Sequence, residues 1–311
     1  MKFDRRLYLS VPILFLLSAF FFTHQVLGQQ STGIALSPPT FEFSANPGDI
    51  LNNTIRVENL NEVPIQVSVE RQNFTALGEE GSIGLTEETT AFSLASWITV
   101  TPNETIIPAK GSATFSFRTV VPLNAEPGGH FGSLVFRVGG QKMPTQTGAA
   151  VAQQLGSLIL LKVAGKTTEA ADIESFLAEK SFWEYGPVDF VIRAKNNGNV
   201  HIKPKGTIAI TNMFGKEVAK FPINPRNVLP GAIRKIPVTW HQKSLIGRYT
   251  ATISLVYGTQ NQILTASTNF FGFPYKIGGA ILSGLIVLGV LLYLGRKRIK
   301  LALKILLGRK R

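Results

Sequence analysis

The side chains best suited to acid–base or metal chemistry are few. Three histidines, His130, His201 and His241, lie well inside the chain, with two adjacent carboxylate pairs, Glu79-Glu80 and Glu87-Glu88. A metal site needs ligands grouped at short spacing, and none of these histidines has a second His or a carboxylate so placed. All three read as surface strand or turn residues. A glycosidase pair must face across a scissile bond, whereas these carboxylates are neighbours in a polar, Gly-containing loop and read as solvated. Gly156-Ser157-Leu158 sits in an apolar run rather than at a strand-to-helix elbow. Gly78, Gly81 and Gly84 lack the strand–turn–helix setting of a phosphate loop. With no cysteine there is no thiolate nucleophile, no sulfur-ligated metal and no disulfide. The chain reads as a non-enzyme without cofactor or metal.

Binding chemistry has more to work with. Phe182, Trp183 and Tyr185 cluster before Gly186-Pro187, where aromatic rings could stack a sugar, anchor a partner or cap a core. Lys195, Lys203 and Lys205 flank a turn beside His201; they could face an anionic polymer or form a solvated basic face. An open sheet edge could add a strand from a partner.

The elements that carry these residues are β throughout. Ile65, Val67 and Val69 alternate with polar neighbours, as do Phe115 and Phe117, and the run from Tyr249 to Tyr257. Period-two alternation of this kind marks half-buried strands. Turn chemistry separates them at Asn46–Asp49, Pro108–Gly111, Asn196–Asn199 and Pro230-Gly231. The segment Ile55-Arg56-Val57-Glu58-Asn59 recurs as Ile192-Arg193-Ala194-Lys195-Asn196, each copy with Val and Ile at the same later offsets. The fold expected is all-β: two tandem immunoglobulin-like antiparallel β-sandwiches plus one C-terminal transmembrane helix. The first sandwich spans 29–167 and the second 168–275, with a mobile hairpin tip from Gly139 to Gly148. Asn52, Asn73 and Asn103 match the glycosylation pattern and read as bare loop or strand residues.

Both ends of the chain point to a membrane. Lys2, Arg5 and Arg6 precede an apolar stretch from Leu7 to Phe22, which reads as a signal peptide, 1–28, cleaved after Gly28; an uncleaved anchor is the alternative. Residues 277–295 form an uncharged apolar run, long enough as a helix to span a bilayer. The tail, 296–311, carries Arg296, Lys297, Arg298, Lys300, Lys304, Arg309, Lys310 and Arg311 and no acid. That bias holds the tail in the cytoplasm, either as a helix lying on the inner leaflet or as a stop-transfer signal. The formal net charge of +13 is concentrated at these two ends, so it does not indicate nucleic acid. Within the ectodomain, residues 29–169 hold eight basic and twelve acidic side chains, and residues 170–276 hold thirteen and six. One half is mildly acidic, the other basic.

A signal segment, two successive sandwiches, one C-terminal span and a short basic tail resemble the WxL-interacting proteins of Gram-positive bacteria. The residues that carry the likeness are Leu36–Pro39, the Ile55–Val69 strand pair, Val121-Pro122, Pro127–Gly132 and Gln154–Leu161 in the first unit. In the second they are the Asn196–Asn199 turn, Leu229–Gly231, Val238–Trp240 and Gly247–Tyr257. The resemblance implies peptidoglycan binding by the first domain and binding of a secreted surface or host protein by the second. Such a protein is a bacterial cell-surface scaffold, single-pass, with its N-terminal ectodomain outside. The alternative is a β-sandwich chaperone or accessory subunit of an envelope assembly or export complex, which would hold a stoichiometric protein partner and little wall polymer.

Overall fold

The computed structural model describes residues 33–139 and 153–306. The expected signal segment, positions 140–148 of the expected hairpin tip, and Arg309, Lys310 and Arg311 lie outside the described residues.

The strands of the first half are β1 (Ile34–Ser37), β2 (Thr40–Ala45), β3 (Ile50–Asn59), β4 (Ile65–Leu77) and β5 (Ser82–Thr86). They continue as β6 (Ile98–Thr101), β7 (Glu104–Ile107), β8 (Ser112–Val120), β9 (Gly128–Val138) and β10 (Gln154–Val163). One sheet has the order β1-β3-β8-β6; the facing sheet runs β2-β10-β9-β4-β5, with β7 beside the start of β4. The alternation seen in the sequence decides which face turns inward. Ile55, Val57, Phe115 and Phe117 from one sheet meet Ile65, Val67, Leu134, Phe136, Ile159 and Leu161 from the other. Phe115 and Phe136 meet edge-to-face at 5.0 Å.

The second half repeats the plan with β11 (Ala171–Ala178), β12 (Phe182–Trp183), β13 (Val188–Asn196) and β14 (Lys205–Asn212). These are followed by β15 (Glu217–Ile223), β16 (Ile233–Trp240), β17 (Gly247–Tyr257) and β18 (Gln262–Gly272). A three-stranded sheet, β11-β13-β16, packs on a five-stranded one, β12-β18-β17-β14-β15. Phe190, Ile192, Ile208, Ile253, Leu255 and Trp240 fill the space between them. The architecture is two immunoglobulin-like sandwiches in tandem. Pairing between the named strands is antiparallel except where β2 joins β10 and where β12 joins β18, both in parallel.

The duplicated segment has a physical basis. Asn59 and Asn196 end corresponding strands, β3 and β13, and both side chains are buried. The Asn59 amide donates to the carbonyls of Val63, Ile107 and Pro108 while its oxygen accepts from the Asn61 main chain. The Asn196 amide donates to Val200 and Val228 and its oxygen accepts from Gly198. Each asparagine supplies both donor and acceptor to a turn that would otherwise bury bare backbone groups.

Beyond β18 a single helix, α1 (Tyr275–Leu306), leaves the second sandwich. Its segment Tyr275–Arg296 is long and apolar enough to cross a membrane. At 1.5 Å per residue its 22 residues reach roughly 33 Å, against a hydrocarbon layer of about 30 Å. Arg296, Lys297, Arg298, Lys300 and Lys304 follow on the same continuous helix.

A candidate ligand cleft between the sandwiches

Three segments close the junction between the two units. The first is the tip of the β4–β5 hairpin. Glu79 accepts two hydrogen bonds from the Arg193 guanidinium, at 2.6 and 2.8 Å, and its carbonyl accepts from the Lys235 main chain. Glu80 pairs with the Lys235 ammonium at 2.9 Å. Arg193 and Lys235 are cross-strand partners on β13 and β16, so the hairpin tip docks on the outer face and edge of the three-stranded sheet. Of the two carboxylates read from sequence as solvated, Glu80 is exposed while Glu79 is partly buried, and both serve as the acidic half of an interdomain clasp.

The second segment is Glu42 of β2, whose carboxylate accepts from Lys203 and Asn227, both at 2.7 Å. The third is the connection between β10 and β11. There Glu169 accepts from Lys162 of the first sandwich at 2.6 Å and from the Thr259 main chain and hydroxyl of the second at 2.7 and 2.8 Å. The turn after Asn196 lies flat on this connection. A Cβ at Gly198 would come within 2.2 Å of the Thr168 carbonyl, so only glycine allows the approach. Bonds from Gly129 to the Asn199 carbonyl and from Asn199 to the Pro127 carbonyl complete the seam.

Burial pushes the Glu42 and Glu169 carboxyls up, but the surrounding donors outweigh it and both end below the ordinary glutamate value. The Arg193 hydrogen bonds hold Glu79 down in the same sense.

Inside this frame lies a cleft of about 210 Å³. Phe74, Ile83, Leu158 and Leu160 of the first sandwich form one wall; Val228, Leu229, Arg226 and Arg234 of the second form the other. Its volume is below the roughly 300–1,000 Å³ of a cofactor site, and suits a large side chain or a short segment. Arg234 is the unusual group. Its guanidinium lies over Gly81, occupying the space a Cβ there would need. Its Nε is buried without a hydrogen-bond partner. Desolvation lowers its pKa, Arg226 adds to the effect and Glu80 opposes it. Among the described residues neither Arg226 nor Arg234 has a carboxylate in ion-pair contact. A guanidinium whose Nε has no partner, beside a second arginine in an apolar slot, is matched by an anionic group attached to an apolar body.

The residues singled out in the sequence do not form one site. Trp183 is buried in the second core, its indole N–H donating to the Lys180 carbonyl. Phe182 and Tyr185 are exposed, and Phe182 stacks on Phe271 at 5.8 Å. Lys195 lies on the three-stranded sheet near the clasp. Lys203 is committed to Glu42, and Lys205 opens β14 in the other sheet. Lys203 and Lys205 nonetheless line one surface cleft with His201, Glu42 and Glu169, while Lys195 stands apart from it. Two histidines also differ from the surface positions expected. His130 is buried, with its ring nitrogens against the carbonyls of Ser93 and Glu126. His201 meets Phe131 edge-on at 5.9 Å across the junction, its Nδ1 unpartnered. His241 is exposed. Asn73 is a structural residue: it donates to the Glu88 carbonyl and accepts from the main chains of Leu94 and Ala95. No group of three candidate metal ligands occurs among the described residues.

No protein-family model matches the chain. No curated protein matches it either. Among solved structures it is similar to the class 5 fimbriae chaperone CfaA, at 12% identity and a TM-score of 0.40, covering 76% of this chain and 99% of that one. The CsuC–CsuE chaperone–tip adhesion subunit pre-assembly complex of Acinetobacter baumannii gives 11% identity and a TM-score of 0.37, covering 78% and 100%. The Pseudomonas aeruginosa CupB2 chaperone gives 9% and 0.35, covering 76% and 100%. Likeness at this level leaves function open, and the resemblance to the WxL-interacting proteins rests on sequence pattern alone.

Proposed function

We propose that the chain is a non-catalytic, membrane-tethered accessory protein of a bacterial cell surface whose ectodomain holds a protein partner in the cleft between its sandwiches. The observation that carries this reading is Arg234: a guanidinium with a buried, unpartnered Nε at the edge of an apolar slot, beside Arg226. Leaving such a donor unmatched costs about 1–3 kcal/mol, and an acidic partner segment with a bulky apolar side chain offsets it. The helix α1 supplies the tether, with the sandwiches outside and the basic end of the helix inside.

The sheet edges favour the cleft over strand addition on one side of the second sandwich. The outer edge of β16 already receives the Glu79 carbonyl at Lys235 and carries Pro237, which has no N–H to offer. Binding of wall polymer, implied by the family resemblance, is kept as the competing outcome of the test.

The test places a photo-crosslinking amino acid at Ile83 or Leu229 in the full-length protein in its native membrane. A single protein adduct lost in Arg234→Met supports the reading. Absence of a protein adduct, with the protein pelleting on purified peptidoglycan, replaces it with the wall-scaffold reading.

A further inference from the structure

The end of the second sandwich that faces α1 carries an apolar surface that nothing among the described residues covers. The strand registers define this end. Gly247 pairs with Gly272, Phe182 with Phe271, and Asn212 with Tyr249, so the β14–β15 turn, the β16–β17 loop and the last residues of β18 project together. Phe214 stands at the tip of the first of these turns, 81% exposed, held by its main-chain bond to the Asn212 side chain. Met213 beside it reaches Gly247, where a Cβ would meet its sulfur at 2.9 Å. Ile246, on the neighbouring loop, is 64% exposed, and Phe182, Phe271 and Tyr275 are exposed on the α1 side. Large apolar side chains at the tips of polar turns lose free energy in water and need an apolar environment to recover it.

The membrane helix begins at this same end and is fixed to it. Phe273 donates its main-chain N–H to the Trp183 carbonyl, and Phe182 packs on Tyr275 at 6.2 Å. Lys276, in the first turn of α1, pairs with Glu184 at 3.0 Å. Lys180, Lys216, Lys243 and Arg248 are exposed around the same end, with Glu179 and Glu217 as exposed acids and Glu184 and Asp189 as partly buried ones. Aromatic and aliphatic tips ringed by basic side chains match the headgroup layer of a bilayer, where rings sit at the interface and cations meet phosphates.

We infer that the second sandwich does not hang free on its helix but stands on the membrane, with Met213, Phe214 and Ile246 seated in the lipid headgroup layer. The inference rests on α1 crossing the bilayer, as proposed above, and assigns the aromatic Phe182 to that interface rather than to a sugar or protein ligand.

The absence of cysteine makes the test clean. Single substitutions Phe214→Cys, Ile246→Cys, Leu285→Cys and Asn52→Cys are spin-labelled in the full-length protein, reconstituted in vesicles of equal parts phosphatidylcholine and phosphatidylglycerol. All four positions are exposed, so labelling removes no core packing. Expected is a label at Leu285 relaxed by lipid-soluble oxygen, one at Asn52 relaxed by a water-soluble nickel chelate, and labels at Phe214 and Ile246 that lose nickel accessibility on reconstitution. If Leu285 reads as lipid-embedded while Phe214 and Ile246 keep the water accessibility of Asn52, the seating is overturned and the tether stands. If Leu285 also stays in water, the tether and the seating fall together.

Discussion

Arg193 of the second sandwich grips Glu79 of the first through two parallel hydrogen bonds, at 2.6 and 2.8 Å. Isolated surface ion pairs contribute little, but a bidentate guanidinium–carboxylate pair adds geometry as well as attraction. Here it is reinforced by Lys235, whose ammonium takes Glu80 and whose main chain takes the Glu79 carbonyl. Arg193→Ala therefore loosens the junction without unfolding either core. Spin labels at Asn52→Cys and Ser267→Cys, one on each sandwich, are expected to show a broader distance distribution by double electron–electron resonance. An unchanged width would mean that the other contacts hold the junction alone.

Acid should weaken the same junction in two stages. Burial lowers the pKa of His201 below its ordinary 6.5, with Lys162 and Lys203 acting in the same direction and Glu42 and Glu169 opposing. The unfolded chain then binds the proton more readily, so stability falls as pH drops below about 6.5. Glu42, Glu79 and Glu169 sit below the ordinary glutamate value of 4.5. Their contribution is present above that value and is lost as pH falls through the lower folded values. Melting temperature plotted against pH is expected to decline from near neutrality and then more steeply in the acid range. His201→Phe should remove the upper stage alone; a curve flat down to the carboxylate range in the parent protein would contradict the assignment.

The paired asparagines should behave alike. Replacing Asn59 or Asn196 with Ala strands several buried carbonyls and main-chain N–H groups, at a cost of about 1–3 kcal/mol for each group left unsatisfied. Urea unfolding is expected to show Asn59→Ala lowering the first sandwich's transition and Asn196→Ala the second's. Equal loss in both transitions from either change would show instead that the two units unfold as one.

Arg234→Met separates stability from binding. The substitution removes a buried donor that has no partner, so the melting temperature should hold or rise, while partner capture is lost. A marked drop in melting temperature would show that the guanidinium supports the fold rather than a ligand.

The sandwiches were legible because strand alternation and core burial are the same fact read twice: Ile65 and Val67, or Ile253 and Leu255, face inward where the pattern places them. The repeated Asn59 and Asn196 frame was visible as well, although its cause, a buried amide serving a turn, was not. The junction was much less legible. Glu79 and Arg193 are 114 positions apart, and no local pattern links them; the one sequence-level trace was the acidic first half against the basic second. Arg226 and Arg234 carried no periodic signal either, since a side chain's lack of a partner is a property of the assembled surfaces. The aromatic cluster was left open between a core cap and a binding surface, and the strand divides it: adjacent residues on β12 point to opposite sides, so Trp183 enters the core while Phe182 leaves it.

The eleven residues of β18 run from the junction to the start of α1. At about 3.3 Å per residue, that strand measures off roughly 36 Å. With the helix stitched to its lower end, the proposed crossing of a bilayer by α1 would carry the cleft at a set altitude above the lipid instead of letting it swing on a leash. A partner rooted in the same bilayer must climb that height, through a stalk of its own or at least about eleven residues of extended chain. One that arrives from outside meets the slot already raised toward it.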